Sequence, residues 1–193
     1  TAQTSTTIAN TLVNTSLVPQ VVTYTVTPTA GGCVGAAEVV LVTVNPTPVI
    51  SGNTPICVGA TLQLSASGTP NVTTPWTSSS TGVATVDITG LVTGVSAGST
   101  TITYTDDIGC QATVVVTVDA APTITGNAPI CIGSTLQLTG SGTPDGTTPW
   151  TSSIPGVASV SNAGLVTAIG AGTTTITYLT SSGCQNTVDV TVN

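Results

Sequence analysis

Apolar and polar residues alternate with a period of two along most of this chain. The alternation is clearest at residues 61–67, 100–105 and 112–118, where apolar side chains recur at every second position. This period places the apolar side chains on one face of a β-strand, whereas no window has the period of about 3.6 residues of an amphipathic helix. Gly, Pro, Ser and Asn separate the short runs, as in a β-sandwich. The pattern therefore predicts an all-β protein.

The pattern occurs twice, because residues 50–119 and 124–193 are two copies of one sequence. They align without a gap, and 45 of the 70 aligned positions are identical. A repeat of this length indicates one structural unit per copy. We therefore predict two equivalent sandwiches, at residues 47–119 and 120–193, which follow a shorter segment at residues 1–46.

Each copy contains one Trp and one Tyr for which the sequence predicts a place in the core. Trp76 and Trp150 fall where a central strand would cross the core, and Tyr104 and Tyr178 are in phase with an Ile two residues earlier. We predict that all four are core residues. The alternative is that the two Trp rings face a ligand in an exposed groove.

The composition argues against several classes of function. The 193 residues include no Lys, Arg or His and only seven carboxylates, which gives a net charge of −7. Phosphate, nucleic acid and anionic lipid are bound through Lys and Arg. A nucleophilic Ser or Cys would have no basic neighbour to activate it. We therefore predict no enzymatic activity, no cofactor and no nucleic-acid partner, and no apolar run is long enough for membrane insertion.

The carboxylates lead to two further expectations. Asp106 and Asp107 are adjacent and could hold calcium, but the second copy has Thr180 and Ser181 there, so we prefer a solvated turn and predict no metal site. The mutual repulsion of the carboxylates predicts that acid stabilises the fold, unless one of them accepts a buried hydrogen bond.

Several motifs resemble known families. The stretch "WTSSSTGVATVDITGLVTGVSAGSTTITYT" at residues 76–105 is similar to the bacterial Ig-like domain of group 2, whose pattern is W-S-S, then V-A-T-V-D, G-x-V-T-G-V and A-G-x-x-x-I-T. The first segment, with "VTYTVTPTAGGCVGAAEVVLVTVNP", resembles the C-terminal half of the PKD-like domains in giant surface proteins of gliding, type IX-secreting bacteria. Both resemblances imply extracellular Ig-like sandwiches of adhesins, fibres and cell-surface stalks.

The two connections between segments are short and contain Pro. They read "VNPTPVI" at residues 44–50 and "VDAAPTI" at residues 118–124. Pro favours an extended conformation. The sequence therefore predicts tandem Ig-like β-sandwiches that are joined end to end as a rod.

The five cysteines imply disulfides if the protein is extracellular, as the resemblance suggests. We predict that Cys57 pairs with Cys110 and Cys131 with Cys184, each bond lying within one sandwich. Cys33 occupies the place of Cys110 and Cys184 in its own segment, and the PKD-like family has a second cysteine in the N-terminal half, which this chain lacks. Cys33 is therefore predicted to be unpaired in this chain. Residues 1–45 would be the back half of a sandwich, or a half that strands of a neighbouring subunit complete.

These observations favour a structural or adhesive segment of a bacterial extracellular fibre or filament. The expected partners are other copies or neighbouring domains of the same polymer, with surface glycans or proteins as adhesive targets. Two alternatives stay open, namely a carbohydrate- or protein-binding module and a spacer in a larger secreted multidomain protein.

Overall fold

The computed structural model describes residues 11–16 and 18–193, and the regular structure in this part of the chain consists of β-strands. The predicted all-β fold is therefore confirmed. The first part of the predicted segment 1–46 lies outside the described residues. Among the residues described, no helix has the length and apolar character of a membrane span.

The N-terminal segment forms one long antiparallel hairpin. Its strands are β1 (Gln20–Val26), β2 (Thr29–Ala30), β3 (Cys33–Val34) and β4 (Glu38–Val44). Strand β1 pairs with β4, and β2 pairs with β3 at the tip. Val39 and Leu41 are 60 % and 65 % exposed. The hairpin therefore has no closed core of its own among the described residues.

The first repeat is a sandwich of two sheets. Its strands are β5 (Ile50–Ser51), β6 (Ile56–Cys57), β7 (Thr61–Gln63), β8 (Ser65–Ala66), β9 (Trp76–Ser78), β10 (Ala84–Val86), β11 (Leu91–Gly94), β12 (Gly98–Thr105) and β13 (Gln111–Asp119). One sheet has the order β6-β13-β12-β9 and the other β10-β11-β7, while β5 pairs with β8. All pairs are antiparallel except β6 with β13.

The second repeat has the same arrangement. Its strands are β14 (Ile124–Thr125), β15 (Thr135–Gln137), β16 (Thr139–Gly140), β17 (Trp150–Ser152), β18 (Ala158–Val160), β19 (Leu165–Ala168), β20 (Gly172–Leu179) and β21 (Gln185–Val192). The sheets are β17-β20-β21 and β15-β19-β18, while β14 pairs with β16. Ile130 makes a parallel bridge to Val192, which corresponds to the β6–β13 pairing of the first repeat.

Each repeat has its own core, built around an aromatic pair. The ring centroids of Trp76 and Tyr104 lie 4.8 Å apart, and those of Trp150 and Tyr178 lie 4.5 Å apart. The Trp side chains are 9 % and 6 % exposed, and both Tyr side chains are 2 % exposed. Tilted pairs at such distances stabilise a core beyond the area that they bury.

The W-T-S-S motif forms the corner where the chain crosses from one sheet to the other. The Ser78 hydroxyl donates to the Ala84 carbonyl across 2.7 Å and lies 3.0 Å from the hydroxyl of Thr100. Thr100 is buried and also accepts a bond from the Ser80 N–H. These bonds tie β9 to β10 and satisfy a buried hydroxyl that would otherwise destabilise the fold.

We expect Gly164→Ala to destabilise the second repeat. Gly164 has a φ of +80°, and a Cβ there would overlap the Leu138 carbonyl oxygen and lie 3.2 Å from the Trp150 ring. Both effects favour the unfolded state, so the free energy of unfolding should fall by more than about 1 kcal/mol. Chemical denaturation followed by circular dichroism measures this change.

Gly156→Ala is the matched control for this substitution. No atom lies within 4 Å of a Cβ at Gly156, and its φ lies outside the left-handed region. Its free energy of unfolding should stay within about 0.5 kcal/mol of the parent value. Equal effects of the two substitutions would contradict the role assigned to the turn at Gly164.

Candidate functional site at the junction of the two repeats

The linker between the repeats is anchored to the sandwich that follows it. Strand β13 ends at Asp119 and β14 begins at Ile124. The Thr123 N–H donates to the Ser141 hydroxyl across 2.8 Å, and the Ser141 N–H donates to the Thr123 carbonyl across 2.9 Å. Pro122 is buried, and the Asn186 side-chain amide donates to its carbonyl across 2.8 Å. The end of the linker is therefore fixed to the second sandwich.

The junction before the first repeat uses the same device. The Val49 N–H donates to the Ser67 hydroxyl across 2.9 Å, and the Ser67 N–H donates back to the Val49 carbonyl across 3.0 Å. Pro48 is buried, as Pro122 is. Both linkers are thus hydrogen-bonded to the sandwich that follows them.

A disulfide crosses the junction between the repeats. It joins Cys57 to Cys184, with their Cα atoms 5.5 Å apart and a sequence separation of 127 residues. Cys57 is paired with Asp119, the last residue of β13, and therefore lies at the C-terminal end of the first sandwich. Cys184 directly precedes β21 in the β20–β21 hairpin, and the linker passes beside it: its Sγ lies 4.0 Å from the Asp119 carbonyl.

The predicted bond between Cys57 and Cys110 is wrong. Cys110 directly precedes β13, whereas Cys57 lies beside Asp119 at the other end of that strand. Nine residues of extended strand span roughly 30 Å, and a disulfide requires Cα atoms within about 7 Å. The two cysteines are therefore at opposite ends of one sandwich.

The predicted bond between Cys131 and Cys184 is wrong for the same reason. Cys184 precedes the eight-residue strand β21, and Cys131 follows Ile130, which bridges Val192 at the far end of that strand. Cys33, Cys110 and Cys131 are unpaired, and Cys33 and Cys131 are exposed. The sequence indicated the length of the last strand of each repeat. It did not indicate that the segment around Ile56 or Ile130 lies parallel to the C-terminal end of that strand.

A cleft of about 400 Å³ opens beside the disulfide. Its walls are the linker and two loops of the second repeat, and its lining includes Asp119, Pro122, Ser141, Thr143 and Ser181. Asp119 is the one charged residue among them. Within the described residues, no group of three or more His, Cys, Asp or Glu side chains could hold a metal ion.

The Asp106 carboxylate stabilises a turn. It is 5 % exposed, and it accepts hydrogen bonds from the Cys110 N–H at 2.7 Å and the Ile108 N–H at 3.2 Å. Thr180 has the same position in the second repeat, and its hydroxyl accepts a bond from the Cys184 N–H. Since a hydroxyl can replace the carboxylate, the position serves to shape the cysteine-bearing hairpin.

The aromatic residues lie away from the junction and from solvent. Trp76 is on β9 and Trp150 on β17, in separate cores, so the two rings do not share an exposed groove. The Tyr104 hydroxyl donates to the Gly68 carbonyl across 3.3 Å. Burial raises the pKa of Tyr104, and the nearby charges of Asp106 and Asp107 raise it further. This environment is that of a core residue with its hydroxyl at the rim.

Two aspartates stabilise loops by accepting hydrogen bonds. The Asp145 carboxylate accepts from the Thr148 N–H, the Thr147 hydroxyl and the Thr147 N–H, and these bonds lower its pKa from the ordinary value of 3.8. The Thr89 hydroxyl, together with the Leu91 N–H, similarly lowers the pKa of Asp87. At these two positions acid destabilises the fold, contrary to the expectation from mutual repulsion.

The sequence matches two family models. The model of the bacterial Ig-like domain (group 2) matches residues 38–118 and 117–192, and the model of the PKD-like domain matches residues 1–48. Both resemblances inferred from the motifs are therefore confirmed. No curated protein matches the chain.

Solved structures of bacterial surface proteins are similar to this chain. Invasin, a bacterial integrin-binding protein, is 21 % identical with a TM-score of 0.48, over 90 % of this chain and 46 % of that chain. The S-layer protein rSbsC is 16 % identical with a TM-score of 0.35, over 91 % and 35 %. A C-terminal 282-residue fragment of intimin, in complex with the intimin-binding domain of Tir, is 20 % identical with a TM-score of 0.40, over 90 % and 58 %. The match thus spans between about a third and three fifths of these chains.

Peptide mapping of the oxidised chain should recover one cross-link between the repeats. The chain has no Lys or Arg for trypsin, so pepsin at low pH is the suitable protease, and free thiols are alkylated first. The peptide that contains Cys57 should be linked to the peptide that contains Cys184. Recovery of a Cys57–Cys110 or Cys131–Cys184 link would contradict the arrangement of the junction.

Asp145→Asn should remove part of the acid sensitivity of the fold. The folded-state pKa of Asp145 lies below its unfolded value, so its contribution is fully present above about pH 4 and is lost as the pH falls through the folded-state pKa. Asn71 makes the same three hydrogen bonds in the first repeat, so asparagine fits the loop. Denaturation between pH 7 and pH 2 should therefore show a shallower loss of stability than in the parent chain.

Asp107→Asn is the control for this pH dependence. Asp107 is exposed and lies outside the Asp145 loop. If this control flattened the acid profile as much as Asp145→Asn, the acid sensitivity would not arise from the hydrogen bonds of the Asp145 loop.

Proposed function

We propose that this chain, which belongs to the bacterial Ig-like domain (group 2) family, is a structural and adhesive segment of an extracellular surface fibre. The sandwiches at residues 47–119 and 120–193 would be consecutive units of a rod, preceded by the PKD-like unit at residues 1–46. The observation that supports this function most strongly is the Cys57–Cys184 bond, because it joins two neighbouring sandwiches covalently at the point where a rod would bend or separate.

The position of the bond fits a segment that transmits tension. Force applied at the two chain ends passes from Cys57 directly to Cys184 and bypasses the residues between them. Those residues include most of both sandwiches. Under tension the strands between Cys57 and Cys184 would therefore be shielded from the load, whereas without the bond the linker would transmit the load through every strand.

Other features agree with a structural role outside the cell. A disulfide persists in an oxidising compartment. The chain has no Lys, Arg or His to activate a nucleophile or to hold a phosphate, and its Trp rings are buried in the cores. The match of residues 1–48 to the PKD-like domain supports the placement of the fibre among surface proteins of gliding, type IX-secreting bacteria. Its partners would be neighbouring units of the same polymer and surface glycans or proteins.

Single-molecule stretching between the two chain ends tests this role. Reduction should release roughly 430 Å of additional contour length, because the bond closes a loop with a sequence separation of 127 residues and an extended residue spans about 3.4 Å. The oxidised chain should lack this extension, and so should oxidised Cys110→Ser, which keeps the bond.

Oxidised Cys184→Ser should extend like the reduced parent chain, since it cannot form the bond. A parent chain that extends equally far before and after reduction would refute the proposed role in bearing tension.

A further inference from the structure

We infer that Cys131 forms a second disulfide between sandwiches, with a cysteine at the hairpin tip of the Ig-like sandwich that follows the second repeat. This inference deepens the proposed function and rests on it, because it requires an oxidising environment and a neighbouring sandwich. It extends the arrangement of the Cys57–Cys184 bond from the junction between the repeats to the junction that follows the second repeat. The following sandwich is either a further unit of the same polypeptide or a second copy of this chain.

The backbone presents Cys131 in the same way as Cys57. Next to Cys57, the Val58 N–H donates to the Asp119 carbonyl across 3.0 Å, and the Ala60 N–H donates to the Cys57 carbonyl across 2.9 Å. In the second repeat, the N–H groups of the corresponding residues donate to the Asn193 and Cys131 carbonyls across 3.1 Å and 3.0 Å. Cys131 therefore lies at the C-terminal end of its sandwich, as Cys57 does.

Burial distinguishes the two cysteines. Cys57 is bonded and partly buried, whereas Cys131 is exposed and unpaired. The partner of Cys131 would be the hairpin cysteine of the sandwich that follows the second repeat, since Cys184 itself is already bonded to Cys57. Equivalent cysteines of the two repeats thus differ in state, since Cys57 forms a disulfide and Cys131 does not.

The hairpin that carries the other cysteine of the bond also occurs in both repeats. In the second repeat, the Thr180 N–H donates to the Cys184 carbonyl across 2.8 Å, and the Ser181 N–H donates to the Thr143 carbonyl across 2.9 Å. In the first repeat, the N–H groups of Asp106 and the next residue donate to the Cys110 and Thr69 carbonyls across 3.0 Å and 2.9 Å.

Each repeat thus has a hairpin cysteine at its N-terminal end and a second cysteine at its C-terminal end. Cys110 is the hairpin cysteine that would form a disulfide with a cysteine of a preceding sandwich. Cys33, which is exposed at the tip of the N-terminal hairpin, is the hairpin cysteine that a second copy of this chain offers to Cys131.

The bonds would divide the array into two covalent paths. One path enters at Cys110 and leaves at Cys131, and only 21 residues separate these cysteines. The other path passes through the Cys57–Cys184 bond. Because the loops closed by successive bonds overlap, tension would pass only through the short stretches between bonds, each of which contains the last strand of one sandwich.

Formation of the bond is a thiol–disulfide exchange. The Cys131 thiolate attacks the disulfide of a protein thiol oxidoreductase, and one sulfur of that enzyme leaves as a thiol. The hairpin thiolate then attacks the mixed disulfide at the Cys131 sulfur and releases the second enzyme thiol. Two protein thiols lose two protons and two electrons in total, and the enzyme disulfide is reduced to a dithiol.

Disulfide mapping of the native protein tests the inference. Free thiols are alkylated without reductant, the protein is digested with pepsin at low pH, and linked peptides are identified by mass spectrometry. The Cys131 peptide should be linked to a hairpin peptide. A link to the Cys33 peptide identifies a second copy as the partner, and a link to a hairpin sequence absent from this chain identifies a further unit of the same polypeptide. Any other state of Cys131, such as alkylation or a bond to Cys110, overturns the inference.

An extended recombinant chain supplies an independent measurement. A second copy of residues 120–193 is appended after Asn193, with Thr187→Ser in the appended copy as a mass marker. After oxidation, Cys131 should be linked to the marked hairpin and Cys57 to the unmarked one, and Cys110→Ser should change neither link.

The outcomes separate the two proposals. An unlinked Cys131 together with an intact Cys57–Cys184 bond would overturn this inference and leave the proposed function standing. Loss of the Cys57–Cys184 link as well would overturn both proposals.

Discussion

The parallel pairing of β6 with the end of β13 is the constraint on which the junction depends. It places Cys57 beside Asp119, where the chain leaves the first sandwich, and so at the end that faces the next hairpin. Antiparallel pairing of β12 with β13 places Cys110 at the opposite end. Each sandwich therefore has its two cysteines at opposite ends, and a disulfide can form only between neighbours. The covalent connection of the array follows from the topology of one short edge strand.

The fold is stabilised by hydroxyl and amide hydrogen bonds in place of side-chain ion pairs, because the sequence has no Lys or Arg. Corresponding sites in the two repeats exchange one acceptor for another without a change of geometry. Asn71 and Asp145 accept the same three bonds, and Asp106 and Thr180 accept the same N–H of a cysteine hairpin. Since there is no side-chain ion pair for salt to screen, the stability of the proposed fibre should depend little on ionic strength.

Core and junction have separate tasks in the proposed fibre. The aromatic pairs and the inward residues of the long strands stabilise each sandwich on its own. The buried prolines, the reciprocal bonds of Ser67 and Ser141, and the disulfide determine how one sandwich follows the next. A change in a core would weaken one unit, whereas a change at a junction would alter the stiffness and extensibility of the whole array.

The all-β fold, the two repeats and both family resemblances followed from the sequence alone, because strand alternation and motif order are local properties of the chain. The inward positions of Tyr104 and Tyr178 follow from the same alternation. The partners of the cysteines did not follow, since they depend on which strand lies beside the end of β13 and on which loop meets the linker. Both facts involve residues far apart in sequence: Cys57 and Cys184 are separated by 127 positions, and only tertiary packing brings them together.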